Sequence, residues 1–128
     1  DSAKIPGYFP PVIARKAVEV GTQIQKNFGK AYKAGVKVAF GTDAGVYAHG
    51  KNYIEFQYMV EAGMPPMEAI KAATTSAADL LDMTDQIGSI SKGKFADIVA
   101  VDGDPLTDIK TMKNMVFVMK EGKIYTNQ

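Results

Sequence analysis

Apolar residues along the first third of the chain recur at helical spacing. After Pro10-Pro11, the positions Ile13, Ala17, Val20, Ile24, Phe28 and Ala31 follow one another at steps of three and four. That spacing lines one face of a helix and predicts one over about residues 10 to 34, with the proline pair at its entry. Gly21 interrupts the pattern without ending it, and Gly35 is a natural stop.

The period then changes. Val36-Lys37-Val38-Ala39-Phe40 is short, rich in β-branched residues and bounded by glycine on both sides, which favours a buried strand over a single helical turn. It runs directly into Gly41-Thr42-Asp43-Ala44-Gly45. Helical spacing returns with Phe56, Met59, Val60 and Gly63, predicting a second helix over about 51 to 62 with Gly63 as its stop. Pro65-Pro66 opens a third, whose apolar positions Met67, Ile70, Ala73, Ala77 and Leu81 keep the spacing to about Leu81. Beyond Asp82 the runs become β-like: Ile87-Gly88-Ser89-Ile90, Ala96 to Val101, and Val116 to Met119. Glu121-Gly122 stands between Met119 and Ile124-Tyr125 as a tight hairpin turn would. The order is helix, strand, helix, helix, then a β-rich tail, with a boundary near residues 82 to 88 and neither internal repeats nor low complexity.

Composition narrows the function classes. With 128 residues, 46% hydrophobic and 23% charged, the chain suits one ordinary globular domain. The net charge is +1 and the lysines are scattered rather than striped, so no nucleic-acid footprint is visible. There is no Cys, which excludes disulfides and thiolate metal sites. No apolar run approaches the roughly 20 residues needed to span a bilayer, and a secretory signal is not visible, so the cytoplasm is the default expectation. The chain begins at Asp1-Ser2 with no initiator Met, as a processed protein or a piece of a longer one would.

The candidate chemistry follows the predicted strand. Period two places Val36, Val38 and Phe40 on one side and Lys37, Ala39 and Gly41 on the other, leaving open space into which Asp43 can project if the chain stays extended. A carboxylate there could coordinate a cation, accept a proton from water or return it to a leaving group. The plainer alternative is a turn cap, hydrogen-bonding the backbone N–H groups between Gly41 and Gly45. His49, the only His, follows in the same loop as a candidate for substrate contact, although a lone loop His is more often plain surface. Without a second His the chain cannot assemble the nitrogen ligands of a catalytic zinc. Tyr47, Tyr53 and Tyr58 read as packing residues, the methionines as core filling, and Asp102, Asp104 and Asp108 as turn residues around Pro105.

Several of these segments, in order, resemble the last barrel unit of the amidohydrolase superfamily. They are Gly41-Thr42-Asp43-Ala44-Gly45-Val46, His49-Gly50, Asn52 with Glu55-Phe56, Val60-Glu61-Ala62-Gly63-Met64, and Glu68-Ala69-Ile70-Lys71-Ala72-Ala73-Thr74. The similarity is nearest to the imidazolonepropionase-like and prolidase-like branch, which includes Xaa-Pro dipeptidases and Lys/Arg carboxypeptidases. Gly88-Ser89-Ile90, Lys92-Gly93-Lys94 and Ala96-Asp97-Ile98-Val99 are similar to that family's return into a β-sandwich, and Val118 to Lys123 to its closing hairpin.

The resemblance implies an α/β fold, the C-terminal part of a (β/α)8 TIM barrel over residues 1–84 and part of a small β-sandwich domain over 85–128. It implies hydrolysis of an amide bond in a dipeptide or related amino-acid amide by water activated on one or two divalent metals, usually zinc. Asp43 matches the family's aspartate at the end of the eighth strand, which binds metal, takes the proton from the attacking water and passes it to the leaving amine. His49 matches a position that could contact substrate. The family's His-x-His motif, carboxylated lysine and two later histidines would all lie upstream, so the expectation is a piece inactive alone, whose open faces pair with the rest of its barrel or with further copies. The competing expectations are a complete non-enzymatic α+β module that binds a partner or small anion through the backbone of Gly41 to Gly45, and a structural domain shed from a barrel.

Overall fold

The computed structural model describes residues 5–45 and 50–127 and divides into two compact units, Asp1–Val36 and Lys37–Gln128. The first unit is built on helix α1 (Pro11–Lys33), within a residue of the span predicted at each end. Pro11 occupies the first turn, where a missing N–H removes no helical hydrogen bond. At the other end Gly35 takes φ 83, and Gly35 and Val36 donate their N–H groups to Tyr32 O and Ala31 O at 2.9 and 3.1 Å, closing the helix. Lys30 and Lys33 in the last turn oppose the negative end of the helix dipole. Along the apolar stripe Ile13 is 52% and Ile24 63% exposed, whereas Phe28 and Ala31 are half-buried.

Residues 36–40, which lead into the second unit, lie outside any helix or sheet, where a strand was expected. The reason is non-local: a strand exists only by pairing, and the three strands among the described residues all lie beyond residue 97, bonded to one another. Helix α2 (Ile54–Glu61) starts later than the spacing suggested, because Lys51 to Tyr53 form a turn whose carbonyls accept from residues three further on. Gly63 ends it at φ 101, as expected. The expected third helix is two: α3 (Pro66–Ala72) and α4 (Thr75–Leu80). Thr74 breaks it with φ −127 and ψ −90, its hydroxyl donating back to Ile70 O at 2.8 Å. Such back-bonding competes with the helical ladder. The break also moves the buried face: Ala69, Ala72 and Ala78 are buried, whereas Met67 and Leu81 are exposed.

The core gathers Phe56, Met59, Met64, Ala69, Ala72, Ala78 and Ile109, so α2 packs against α3 and against the 3-10 helix Ile109–Lys113. Strands β1 (Ile98–Val101), β2 (Met115–Lys120) and β3 (Lys123–Asn127) form an antiparallel sheet in that order. Glu121 (φ 51) and Gly122 (φ 77) make the turn between β2 and β3 with both central residues left-handed, the geometry that matches strand twist. Ile87 to Ile90 is not a strand; Gly88 turns there at φ 87. The division between the compact units falls between Val36 and Lys37, while the three described strands all follow residue 82. Among the described residues no helix is long and apolar enough to cross a membrane.

Candidate functional site

Two contacts fix the chain just ahead of Gly41. The N–H of Phe40 donates to Ala72 O at the end of α3 at 2.9 Å. Its ring meets that of Phe56 in α2 edge-on, with centroids 5.1 Å apart and planes at 78°, a favourable aromatic arrangement. Phe56 is buried and Phe40 half-buried, so the segment is held by two contacts before it reaches Thr42.

Asp43 is exposed and takes φ 44. The chain therefore does not stay extended through the loop, and the period-two projection drawn from the strand stops at Gly41. A left-handed conformation is open to Asp more readily than to most residues, and it is still the minority choice. What the residue offers chemically is a solvent-accessible carboxylate at the end of an anchored segment. Both glycines of the loop, Gly41 and Gly45, have open space where a Cβ would stand, so neither is required there by a close neighbour.

Thr42 is tied to the entry of α2: Asn52 Nδ2 donates to Thr42 Oγ1 at 3.3 Å, across ten residues of chain. The other amide atom, Asn52 Oδ1, is buried without a hydrogen-bond partner among the described residues. Sequence reasoning gave Asn52 no role; its only signal was a place within the family-like motif, since an isolated amide leaves no mark on periodicity or charge.

Tyr53 and Tyr58 are half-buried, in line with packing. His49 and Tyr47, expected in the same loop, lie outside the described residues. Asp104 and Asp108 serve turns as expected: Asp104 Oδ1 accepts from Leu106 N at 2.9 Å and its Oδ2 from the Thr107 hydroxyl at 2.9 Å, while Asp108 Oδ1 accepts from Lys110 N at 3.0 Å. These bonds hold the Asp104 carboxyl below its usual range, the Leu106 N–H contributing most. A metal does not fit the described residues by themselves, because no three His, Cys, Asp or Glu side chains among them converge; Asp43 offers one oxygen donor and no neighbouring set completes it.

Comparison with known proteins bears on this arrangement directly. The model of a family described as the Amidohydrolase family matches residues 6–125. Ochratoxinase of Aspergillus niger is 39% identical over 105 residues, which is 78% of this chain and 22% of that protein. Imidazolonepropionase of Fusobacterium nucleatum subsp. nucleatum is 36% identical over 76 residues, 57% of this chain and 18% of its own length. Among solved structures, a Xaa-Pro dipeptidase with bound methionine in the active site superimposes with a TM-score of 0.87 and 51% identity, covering 98% of this chain and 31% of that one. The chain thus spans about a fifth to a third of the length of these relatives.

Proposed function

This chain belongs to the Amidohydrolase family, and we propose that it is the C-terminal part of a hydrolase that cleaves the amide bond of a dipeptide or related amino-acid amide. The observation that carries the reading is the 51% identity maintained over 98% of the chain with a Xaa-Pro dipeptidase. Similarity of that density covers the Phe40 anchor, the Gly41 to Gly45 loop and the helices that hold them, and not one isolated motif. It counts against a non-enzymatic binding module, since the relatives it is matched to are enzymes.

In this reading residues 1–84 are the last barrel segment, 85–128 a piece of the small β-domain, and the rest of the barrel is supplied by upstream chain. Dependence on a divalent metal, with zinc the expected ion, belongs to the proposal; Asp43 would contribute a single ligand, and upstream chain the others. The work assigned to this chain's own residues is limited and specific. Asp43, exposed just beyond the anchored Phe40, accepts the proton released when water attacks the amide carbon and returns it to the departing amine. His49 is assigned a contact to substrate. A carboxylate with neither a completed donor set nor bound substrate turns nothing over, so this piece alone is inactive.

The test is Asp43→Asn in the full-length enzyme, assayed on Xaa-Pro and other dipeptides. Turnover should fall by roughly a thousandfold or more while the unfolding midpoint stays in place. A near-normal rate would take Asp43 out of the mechanism.

A further inference from the structure

We infer that Asn52 is a positioning residue for Asp43, acting through Thr42; the inference rests on the role just given to Asp43. Two unfavourable features stand side by side at the loop. Asp43 is left-handed at φ 44, which an L side chain disfavours unless its surroundings fix it. Asn52 Oδ1 is buried with no hydrogen-bond partner among the described residues, which leaves a polar atom stripped of water and uncompensated there. These two places are joined by the contact from Asn52 Nδ2 to Thr42 Oγ1, and Thr42 is the residue immediately before Asp43.

Rotating the amide end for end does not remove the difficulty. The Thr42 hydroxyl can donate as well as accept, so Oδ1 could take its place in the bond, but Nδ2 would then occupy the buried, unpartnered position. For stability alone, an alanine at 52 would abolish the orphaned atom and give up only a long, neutral hydrogen bond. What the amide supplies instead is a tie from the start of α2 to the residue preceding the strained carboxylate. With Phe40 held by Ala72 O and Phe56, and Thr42 held by Asn52, the backbone is restrained at two points on its way into Asp43.

A group that acts this way has a signature that a merely structural one lacks. In the full-length enzyme, Asn52→Ala should lower kcat roughly tenfold with KM changed by less than about twofold, because misplacing a reacting group weakens transition-state contacts more than substrate binding. Its unfolding midpoint should stay equal to or above that of the wild type. Thr42→Val, which keeps the shape and deletes the hydroxyl, should show the same split, and the double variant should be no slower than the slower single, since both remove one bond. Should Asn52→Ala fail to fold, Thr42→Val decides alone. Unchanged kcat in the folded variants, losses that multiply in the double variant, or a kcat loss that follows a lowered midpoint would each overturn the inference. Asp43→Asn separates the two readings. If it is active, the role of Asp43 falls and this inference with it; if it is dead while the Asn52 and Thr42 variants keep full kcat, only the positioning role is refuted.

Discussion

The carboxylate of Asp97 accepts the backbone N–H of Glu121 at 2.7 Å, and its second oxygen takes Nζ of Lys120 at 2.7 Å. Gly122 N–H meets Ala96 O at 3.1 Å beside them. The residues leading into β1 are therefore clamped to the turn that joins β2 to β3, which fixes where β1 enters its ladder. Residues 23 and 24 positions apart become neighbours through one side chain.

This clamp predicts how stability responds to pH. The Lys120 ammonium first and the Glu121 N–H second hold the Asp97 carboxyl below its ordinary value. A depressed carboxyl contributes stability that is fully present above its unfolded pKa of about 3.9, declines as pH falls past that value, and is gone below the lowered folded value. Lys120 is raised, chiefly by Asp97, so its share is present at and below neutral pH and disappears as pH climbs through its raised folded value. Asp97→Asn should flatten both limbs in denaturant midpoints followed against pH. An acid limb as steep as the wild type's would mean that other carboxyls, such as Asp104, govern it.

Gly88 packs where no side chain fits. A Cβ there would stand 2.7 Å from Ala78 Cβ and 3.0 Å from Thr74 O, with φ at +87. Gly88→Ala should destabilise by roughly 2–4 kcal/mol, combining left-handed strain with overpacking against α4. Gly122 is the control, since its φ is +77 but the space around it is open. Alanine at 122 should cost about 1 kcal/mol from backbone strain alone. Equal losses at the two sites in equilibrium unfolding would show that the Gly88 loop can retreat from the helix.

Phe56→Ala should cost about 3 kcal/mol as a buried aromatic truncation, and its effects should not stay in the core. Phe56 is the ring against which Phe40 rests, so hydrogen exchange at the Phe40 amide, bonded to Ala72 O, should quicken more than at amides within the sheet. Protection at Phe40 equal to the wild type's would show that its hydrogen bond holds the segment without the ring.

What could be read from the sequence was what neighbouring residues decide among themselves. The span of α1 follows from its spacing and proline entry, its end from Gly35, and the hairpin from Glu121-Gly122, each an arrangement within a few residues. Val36 to Phe40 has the composition of a strand, but pairing depends on chain far away, and among the described residues no partner meets it. The split at Thr74 was hidden because a hydroxyl bonding back to Ile70 O leaves the apolar spacing intact. Asp43 was marked by its place after a strand-like run and by the family motif, not by its loop geometry, which reverses at φ 44 instead of running straight. Asn52 gave no signal of its own, because what distinguishes it is one bond to Thr42 and one buried oxygen without a hydrogen-bond partner among the described residues.

The sheet order β1-β2-β3 leaves the outer rims of β1 and β3 unbonded among the described residues. Val99 on the first and Ile124 and Tyr125 on the second are more than half exposed. Expressed without the strands that would flank it, this segment carries ready templates for stacking copy upon copy into fibrils. A lysine or proline placed on these rims would blunt that stacking in any preparation of this segment by itself.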